Sequence, residues 1–266
     1  RLGRRSSLVN SLVLPVTTLW WREVVRFSRQ RSRVVGAFGQ PLVLWLLLGG
    51  GLSASFRPPG APQGMNYVEY FYPGIIALTI LFTAIFATIS TVEDRREGFL
   101  SGVLVAPVGR SSIVLGQARG GTTLAVFQGL LVLFLAPAAG ISLTFTAVVA
   151  VIAVMCLVAF GLTSLGLLIA WRMDSTQGFH AIMNLILLPM WLLSGAFFPA
   201  SGVPAWLAWL MRLDPLTYSV AALRHSLNLG DPAIAGGVPP LGVSLVITVL
   251  FALLAFLAAP GVARRS

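Results

Sequence analysis

The side chains that could do chemistry in this 266-residue chain are few: eight carboxylates, two histidines and one cysteine. Cys156, with only His180 and His225 for company, can neither close an internal disulfide nor supply the four ligands of a structural metal cage. Three carboxylates stand together, Glu93, Asp94 and Glu97, but Arg95 and Arg96 are interleaved with them and neutralise the charge that a metal-bound phosphate would require. The run therefore reads as a docking surface. No paired Ser/His/Asp set is evident either, which weighs against a membrane enzyme such as a lipid-modifying transferase. All 18 basic residues are arginine, so a phosphate-binding loop ending in Gly-Lys-Ser/Thr cannot occur, and any ATP used must be held by another chain.

These groups are set in an unusually apolar frame. Hydrophobic residues make up 57% of the chain and charged ones 10%, against about 25% charged in an ordinary soluble domain. The formal charge of +10 could suggest nucleic acid, but its distribution follows a membrane. Charge-free stretches cover 34–56, 70–92, 120–171, 175–211 and 232–263. A crossing helix needs about 20 apolar residues, and the stretch 120–171 is divided by the turn Pro137 to Gly140. Six spans result, near 34–56, 70–92, 120–139, 145–171, 178–198 and 240–260. The alternation of a membrane barrel is absent, so the expected fold is all-α and polytopic. With six crossings both termini share a side; fifteen arginines fall on that side and only Arg57, Arg212 and Arg224 on the other, which makes the termini cytoplasmic.

Two segments outside the spans have character of their own. From Trp20 to Arg33 a helical wheel places Arg22, Arg26, Arg29 and Arg33 on one face, with Trp20, Val24 and Phe27 opposite and Trp21 at the flank. Such a helix lies in the membrane surface, where its arginines can meet lipid phosphates or acidic groups of a partner. Leu8 to Val16, broken by Asn10 and Ser11 and closed by Pro15 without a cleavage site, reads as cytoplasmic lead-in and not as a signal peptide. Residues 1–33 thus form lead-in and interfacial helix, and 34–266 one membrane domain. The second segment, 93–119, is a charged turn at Glu93–Glu97, then Phe99, Leu100, Val103 and Leu104, spaced for a short helix that Pro107 ends.

These residues carry a resemblance. The run Glu93-Asp-Arg-Arg-Glu-Gly-Phe-Leu100, then Ala106-Pro-Val-Gly-Arg110 and Ile113-Val-Leu-Gly-Gln117, resembles the cytoplasmic loop of type-2 ABC transporter permeases. Leu193-Ser-Gly-Ala-Phe-Phe-Pro199, Val203-Pro-Ala-Trp-Leu207, Asp214-Pro-Leu-Thr-Tyr218 and Arg224 resemble that family's second signature, with Asp214 where Asn is commoner. Within the family the chain looks most like the drug-export permeases of the daunorubicin-resistance group. The resemblance implies a half-transporter: two permeases, identical or homologous, form the pathway, and two ABC ATPase subunits beneath bind ATP and Mg. It implies that 94–105 is the coupling helix and that 199–232 folds back into the outer leaflet as two short helices; the Trp20–Arg33 helix reads either as a simple membrane anchor or as a connecting helix that also touches a cytoplasmic partner. Phe197, Phe198, Pro199, Trp206, Pro215, Tyr218 and Arg224 would then form an outer gate. The shortness and apolarity of 203–211 suit a re-entrant segment, and Arg212, Asp214 and Arg224 can pair with one another or sit at the outer surface.

The expected function is the permease subunit of an ATP-driven exporter in the inner membrane, without an enzymatic site or cofactor of its own. The alternative is a carrier or channel that works alone, but the span interiors hold no Asp, Glu, Lys or Arg to serve an ion-driven mechanism, leaving His180 as relay or packing group. Family resemblance favours spans two and five as pathway lining. There Thr79 and Thr83 share a face, as do Phe82 and Phe86, and His180, Asn184 and Trp191 follow a stripe; the other reading of the threonines is helix packing. An uncharged aromatic lining suits an amphiphilic, drug-like or lipid-linked cargo.

Overall fold

The computed structural model describes residues 2–52, 66–98, 109–201, 203–229 and 237–263, and among these no strand occurs. The helices are α1 (Leu2–Arg29), α2 (Arg31–Leu52), α3 (Tyr67–Arg96), α4 (Arg110–Leu133), α5 (Phe145–Ala170), α6 (Thr176–Leu193), α7 (Ala205–Leu213), α8 (Pro215–Leu227) and α9 (Leu241–Ala263), with a single 3₁₀ turn at Ala136–Ala139.

Local chemistry explains the main boundaries. Thr144 and Ser175 cap α5 and α6 by accepting hydrogen bonds from the amides of Ala147 and Gly178. Gly140, at φ +82°, turns the chain back after α4 in the left-handed conformation that glycine adopts without strain. Asp214 caps α8, with Pro215 at the first helical position where its missing N–H costs nothing.

Helix α3 is the axis of the fold. It is apolar all round, and nearly every residue from Tyr70 to Val92 is buried against α2, α4, α5 and α6. Helices α5, α8 and α9 form a second packed group, and α1 lies across α4. That last crossing depends on Gly116 and Gly120: a Cβ at Gly120 would stand 2.7 Å from the Cβ of Glu23, and one at Gly116 would stand 2.9 Å from that of Leu19. Only glycine lets the two helices approach so closely.

Among the described residues five helices, α2, α3, α5, α6 and α9, are long and apolar enough to cross a membrane. The structure moves several expected boundaries. The helix containing the basic face begins at Leu2 and ends at Arg29, a break at Gln30 placing Arg33 on α2. The expected third span, 120–139, is replaced by α4, which starts ten residues earlier and carries Gln117 and Arg119 within it. Glu93 to Arg96, expected as a turn, are the last turn of α3, because its backbone ladder continues past the last apolar residue. Helix α6 stops at Leu193, short of the expected 198.

Candidate functional site

The arginines of the first two helices converge on the end of α3. Asp94 is fully buried and accepts from Arg22 in a fork, Nη1 to Oδ2 at 2.7 Å and Nη2 to Oδ1 at 2.6 Å, while Arg26 Nη1 reaches Oδ1 at 2.5 Å. Arg26 also donates to Glu93 Oε2 at 2.8 Å, and Arg33 donates to Glu93 Oε1. Arg22 and Arg26 are four residues apart and share one face of α1; paired forks of this kind are the strong class of ion pair. The bond to Asp94 makes the Arg22 guanidinium hold its proton more firmly, although desolvation works against it. Beside them Glu23 is buried over Gly120 and accepts from the Ser90 hydroxyl at 2.8 Å. Burial raises its carboxyl above the ordinary range, a tendency that Ser90 and Arg22 oppose.

This arrangement corrects the expectation that Arg95 and Arg96 neutralise Glu93 and Asp94. Glu93 and Asp94 face inward to Arg22, Arg26 and Arg33, and Arg95 turns away, donating to the Trp171 carbonyl at 2.6 Å and lying 3.3 Å from Asp174. Arg96, Glu97 and Gly98 are exposed, Gly98 at φ +75°. Phe99, Leu100 and Pro107 lie outside the described residues. Of the expected connecting-helix residues, Phe27 is buried, Arg29 and Trp21 are exposed, and the Trp20 indole N–H donates to Thr123 Oγ1 at 3.0 Å.

The six candidate lining residues divide. Thr79 and Thr83 are fully buried in α3; Thr79 donates to the Ile75 carbonyl, and the Thr83 hydroxyl lies 2.7 Å from the Thr79 carbonyl and 2.6 Å from Gln128 Oε1 on α4. Phe82 is buried, and Phe86 packs edge-on to His180 at 5.6 Å. Asn184 is exposed, whereas Trp191 is buried and donates its indole N–H to the Gly74 carbonyl at 2.8 Å. Asn184 and Trp191, seven residues apart on one helix, therefore meet different surroundings. The buried stripe of α6 is Phe179, Met183, Leu187 and Trp191, stepping by four residues and drifting round the helix as it crosses α3.

The segment from Gly195 to Arg224, expected as the outer one, is tied down by aromatic hydroxyls and a buried cation. Tyr67 and Tyr70 donate to the carbonyls of Phe197 and Gly195, and Phe197 stands edge-on to Tyr67, Phe71 and Phe198. Arg224, nearly enclosed on α8, donates to the carbonyls of Tyr70 and Gly195 at 3.2 Å each and lies 4.2 Å over the Tyr70 ring. Of the two alternatives for Arg212, Asp214 and Arg224, pairing with one another is not seen: no ion pair joins these three described residues. Asp214 is occupied as the cap of α8, Arg212 lies beside Trp209, and Tyr218 donates to the Arg212 carbonyl. Burial pushes the Asp214 carboxyl up to about 7, against the opposing pull of bonds from Leu216 and Thr217. Trp206 is exposed, and Pro199 and Phe198 are half-buried.

A profile of the ABC-2 type transporter matches residues 15–228, from the middle of α1 to the end of α8. The chain belongs to the ABC-2 type transporter family. It is 28% identical over 247 residues to a ycf38 transport permease of Cyanophora paradoxa, covering 89% of this chain and 84% of that one. Nodulation protein J of Sinorhizobium fredii is 27% identical over 252 residues, 93% of this chain and 92% of its own. The inner membrane transport permease YadH of Escherichia coli K12 is 26% identical over 243 residues, 89% and 91% of the two chains. The protein is thus a membrane permease of the ABC transporter class, a class whose ATP hydrolysis is typically performed by partner ATPase chains.

In this ABC-2 permease the matched region holds both the arginine–carboxylate cluster and the aromatic cluster around Arg224. Sequence reading found the arginine face and the Glu93–Asp94 pair but not their union. It also missed Glu23, Ser90 and the two glycines beneath α1. The one signal available was an acidic residue, Glu23, set among arginines on an otherwise basic helix.

Proposed function

We propose that this permease is the transmembrane subunit of an ATP-driven exporter, paired with a second permease and two ATPase subunits that bind ATP and Mg. The observation that carries the reading is the abrupt change of environment at the end of α3. Asp94 is wholly enclosed by α1, and two residues later Arg96, Glu97 and Gly98 project into solvent. A force applied to the exposed residues is delivered to the core helix of the fold and, through three arginines, to α1 and α2. That is the geometry coupling to a partner's motion requires.

In this reading α4 is the sixth span and both termini face the cytoplasm. α7 and α8, at nine and thirteen residues, are too short to cross and re-enter the outer leaflet. The outer aromatic cluster with Arg224 closes the external side, and Phe86, His180 and Asn184 line the pathway. An amphiphilic, drug-like or lipid-linked cargo fits that lining, as in the daunorubicin-resistance group.

The test is reconstitution of the permease with its ATPase in liposomes. Glu97→Arg reverses charge on an exposed residue outside the buried cluster, and should cut transport-stimulated ATP hydrolysis severalfold while leaving membrane insertion intact. Unchanged coupling refutes the docking role. Transport by the permease alone would favour the stand-alone carrier instead.

A further inference from the structure

We infer that the cleft between α1, α4 and α5 binds one anionic phospholipid of the cytoplasmic leaflet, its phosphate held by Arg119. The cleft has a volume of about 250 Å³, roughly eight times a water's share of liquid volume. Its lining joins Val16, Thr17 and Trp20 of α1 to Arg119 and Thr123 of α4 and to Phe160 of α5. Among the described residues Arg119 makes no ion pair, and it is exposed, in contrast to Arg22, Arg26 and Arg33, whose charges are spent on Glu93 and Asp94.

The remaining polar groups of the cleft shape it and do not compete for the phosphate. The Trp20 indole N–H is engaged by Thr123, whose hydroxyl also lies 2.9 Å from the Arg119 carbonyl, leaving the guanidinium as the strong donor available to an anion. The lining contains no carboxylate to receive the ammonium of a zwitterionic headgroup. That asymmetry favours a headgroup of net negative charge.

What identifies the anion as a lipid is the surface above the cleft. The exposed face of α4 continues from Arg119 and Thr123 through Phe127 and Leu131 to Phe134, which are 60%, 41% and 84% exposed. From Thr123 to Phe134 the helix rises about 16 Å, close to half of the ~30 Å hydrocarbon thickness. An arginine at the base of an apolar track one leaflet deep matches a headgroup with its acyl chain, and a soluble phosphate would make no use of the track. Trp20 at the same level sits where tryptophan is favoured, at headgroup depth. The cytoplasmic assignment of this leaflet rests on the orientation proposed above; the binding itself does not.

The sole cysteine supplies a reporter. Cys156 is exposed on α5, one helical turn from Phe160. With bimane attached there, the protein in nanodiscs should be quenched more by phosphatidylglycerol brominated on its acyl chain than by equally brominated phosphatidylcholine. The expected relative affinity is about fivefold, the contribution of one basic residue at an anionic surface. Arg119→Gln should bring the ratio close to one, and Arg172→Gln, an exposed arginine outside the cleft, should leave it unchanged. Three results overturn the proposal: equal quenching by the two lipids in the unmodified chain, a ratio retained in Arg119→Gln, or an equal loss in Arg172→Gln. Abolition of the preference by millimolar inorganic phosphate would assign Arg119 to a soluble anion and overturn it as well. No ATPase or transport step enters the readout, so this result and that of the exporter test stand apart.

Discussion

The buried carboxylate at the end of α3 gives the sharpest quantitative prediction. Asp94→Asn keeps the shape of the side chain and removes its charge, leaving Arg22 and Arg26 facing an amide. Three charge-assisted hydrogen bonds are affected, each worth about 1.5–3 kcal/mol when both partners are desolvated. The arginine side chains are 30% and 21% exposed, so water recovers part of the loss, and Arg26 retains Glu93. Solvent screening of that kind brings the net cost down to about 2 kcal/mol. Because α1 has few other ties to α3, the loss should appear as local opening of α1.

Leu19, buried where α1 crosses Gly116, is the place to read it. In a Cys156→Ser background with Leu19→Cys, thiol labelling requires α1 to lift. Asp94→Asn should accelerate labelling about 30-fold, since 1.36 kcal/mol is a factor of ten. In a background already carrying Arg22→Gln and Arg26→Gln the same substitution should change the rate by less than about threefold, because its partners are gone. Arg29→Gln should change nothing. A rate altered less than threefold by Asp94→Asn alone would refute the latch and show that α1 is held by its packing on α4.

Two further outcomes concern the outer segment. Asp214 carries a folded-state value raised to about 7, so folding favours its protonated form: its contribution is fully present below the ordinary carboxylate range and is lost as pH rises toward and through 7. Asp214→Asn keeps the capping oxygen and should abolish this decline, raising thermal stability at pH 8 relative to pH 5 by on the order of 3 kcal/mol compared with the parent chain; parallel pH profiles would contradict the assignment. If α7 and α8 re-enter the leaflet they leave, cysteines placed singly at 201 and 225 in a Cys156→Ser background should both react with an impermeant thiol reagent on intact cells, and reaction of 225 only after lysis would mean that the chain crosses there.

The helices were legible because a span must be long, apolar and free of charge, a demand that composition alone reveals. What escaped was partnership. The arginine face of α1 reads as membrane-facing on a wheel, and a wheel cannot register that Asp94 lies against it 72 residues away in sequence. The α6 stripe divides for a related reason. An ideal wheel places Asn184 and Trp191 about 20° apart, but the helix follows its contact with α3 along every fourth residue, so the two face different surroundings. Likewise Thr79 and Thr83 satisfy the wheel for a lining and are consumed by α3 and α4. Arg224 was found through its motif, yet its partners are carbonyls and an aromatic ring, which no charge-matching rule would select.

The spans are unevenly buried within the chain, and an exposed face must be satisfied by lipid, water or another protein surface. The apolar window of α3 is 94% buried within the chain, while α2, α6 and α9 each bury 22%. Exposed faces of α9 are uniformly apolar, with Val246, Leu250, Leu253 and Leu257 directed outward, and lipid tails satisfy them. Helix α6 differs: Asn184, near its middle, is exposed, and across Phe86 the neighbouring α2 exposes Gln40. An amide in hydrocarbon without a partner costs several kcal/mol, so this face requires either water or another protein surface. In the proposed half-transporter both are supplied on one side, by the second permease and the pathway between the two. Asn184→Cys in a Cys156→Ser background should therefore cross-link between copies in native membranes, or to a bifunctional thiol reagent spanning the pathway, and Leu253→Cys on α9 should not. Efficient cross-linking through position 253 with none through 184 would reverse the arrangement and leave the polar face of α6 without a reason.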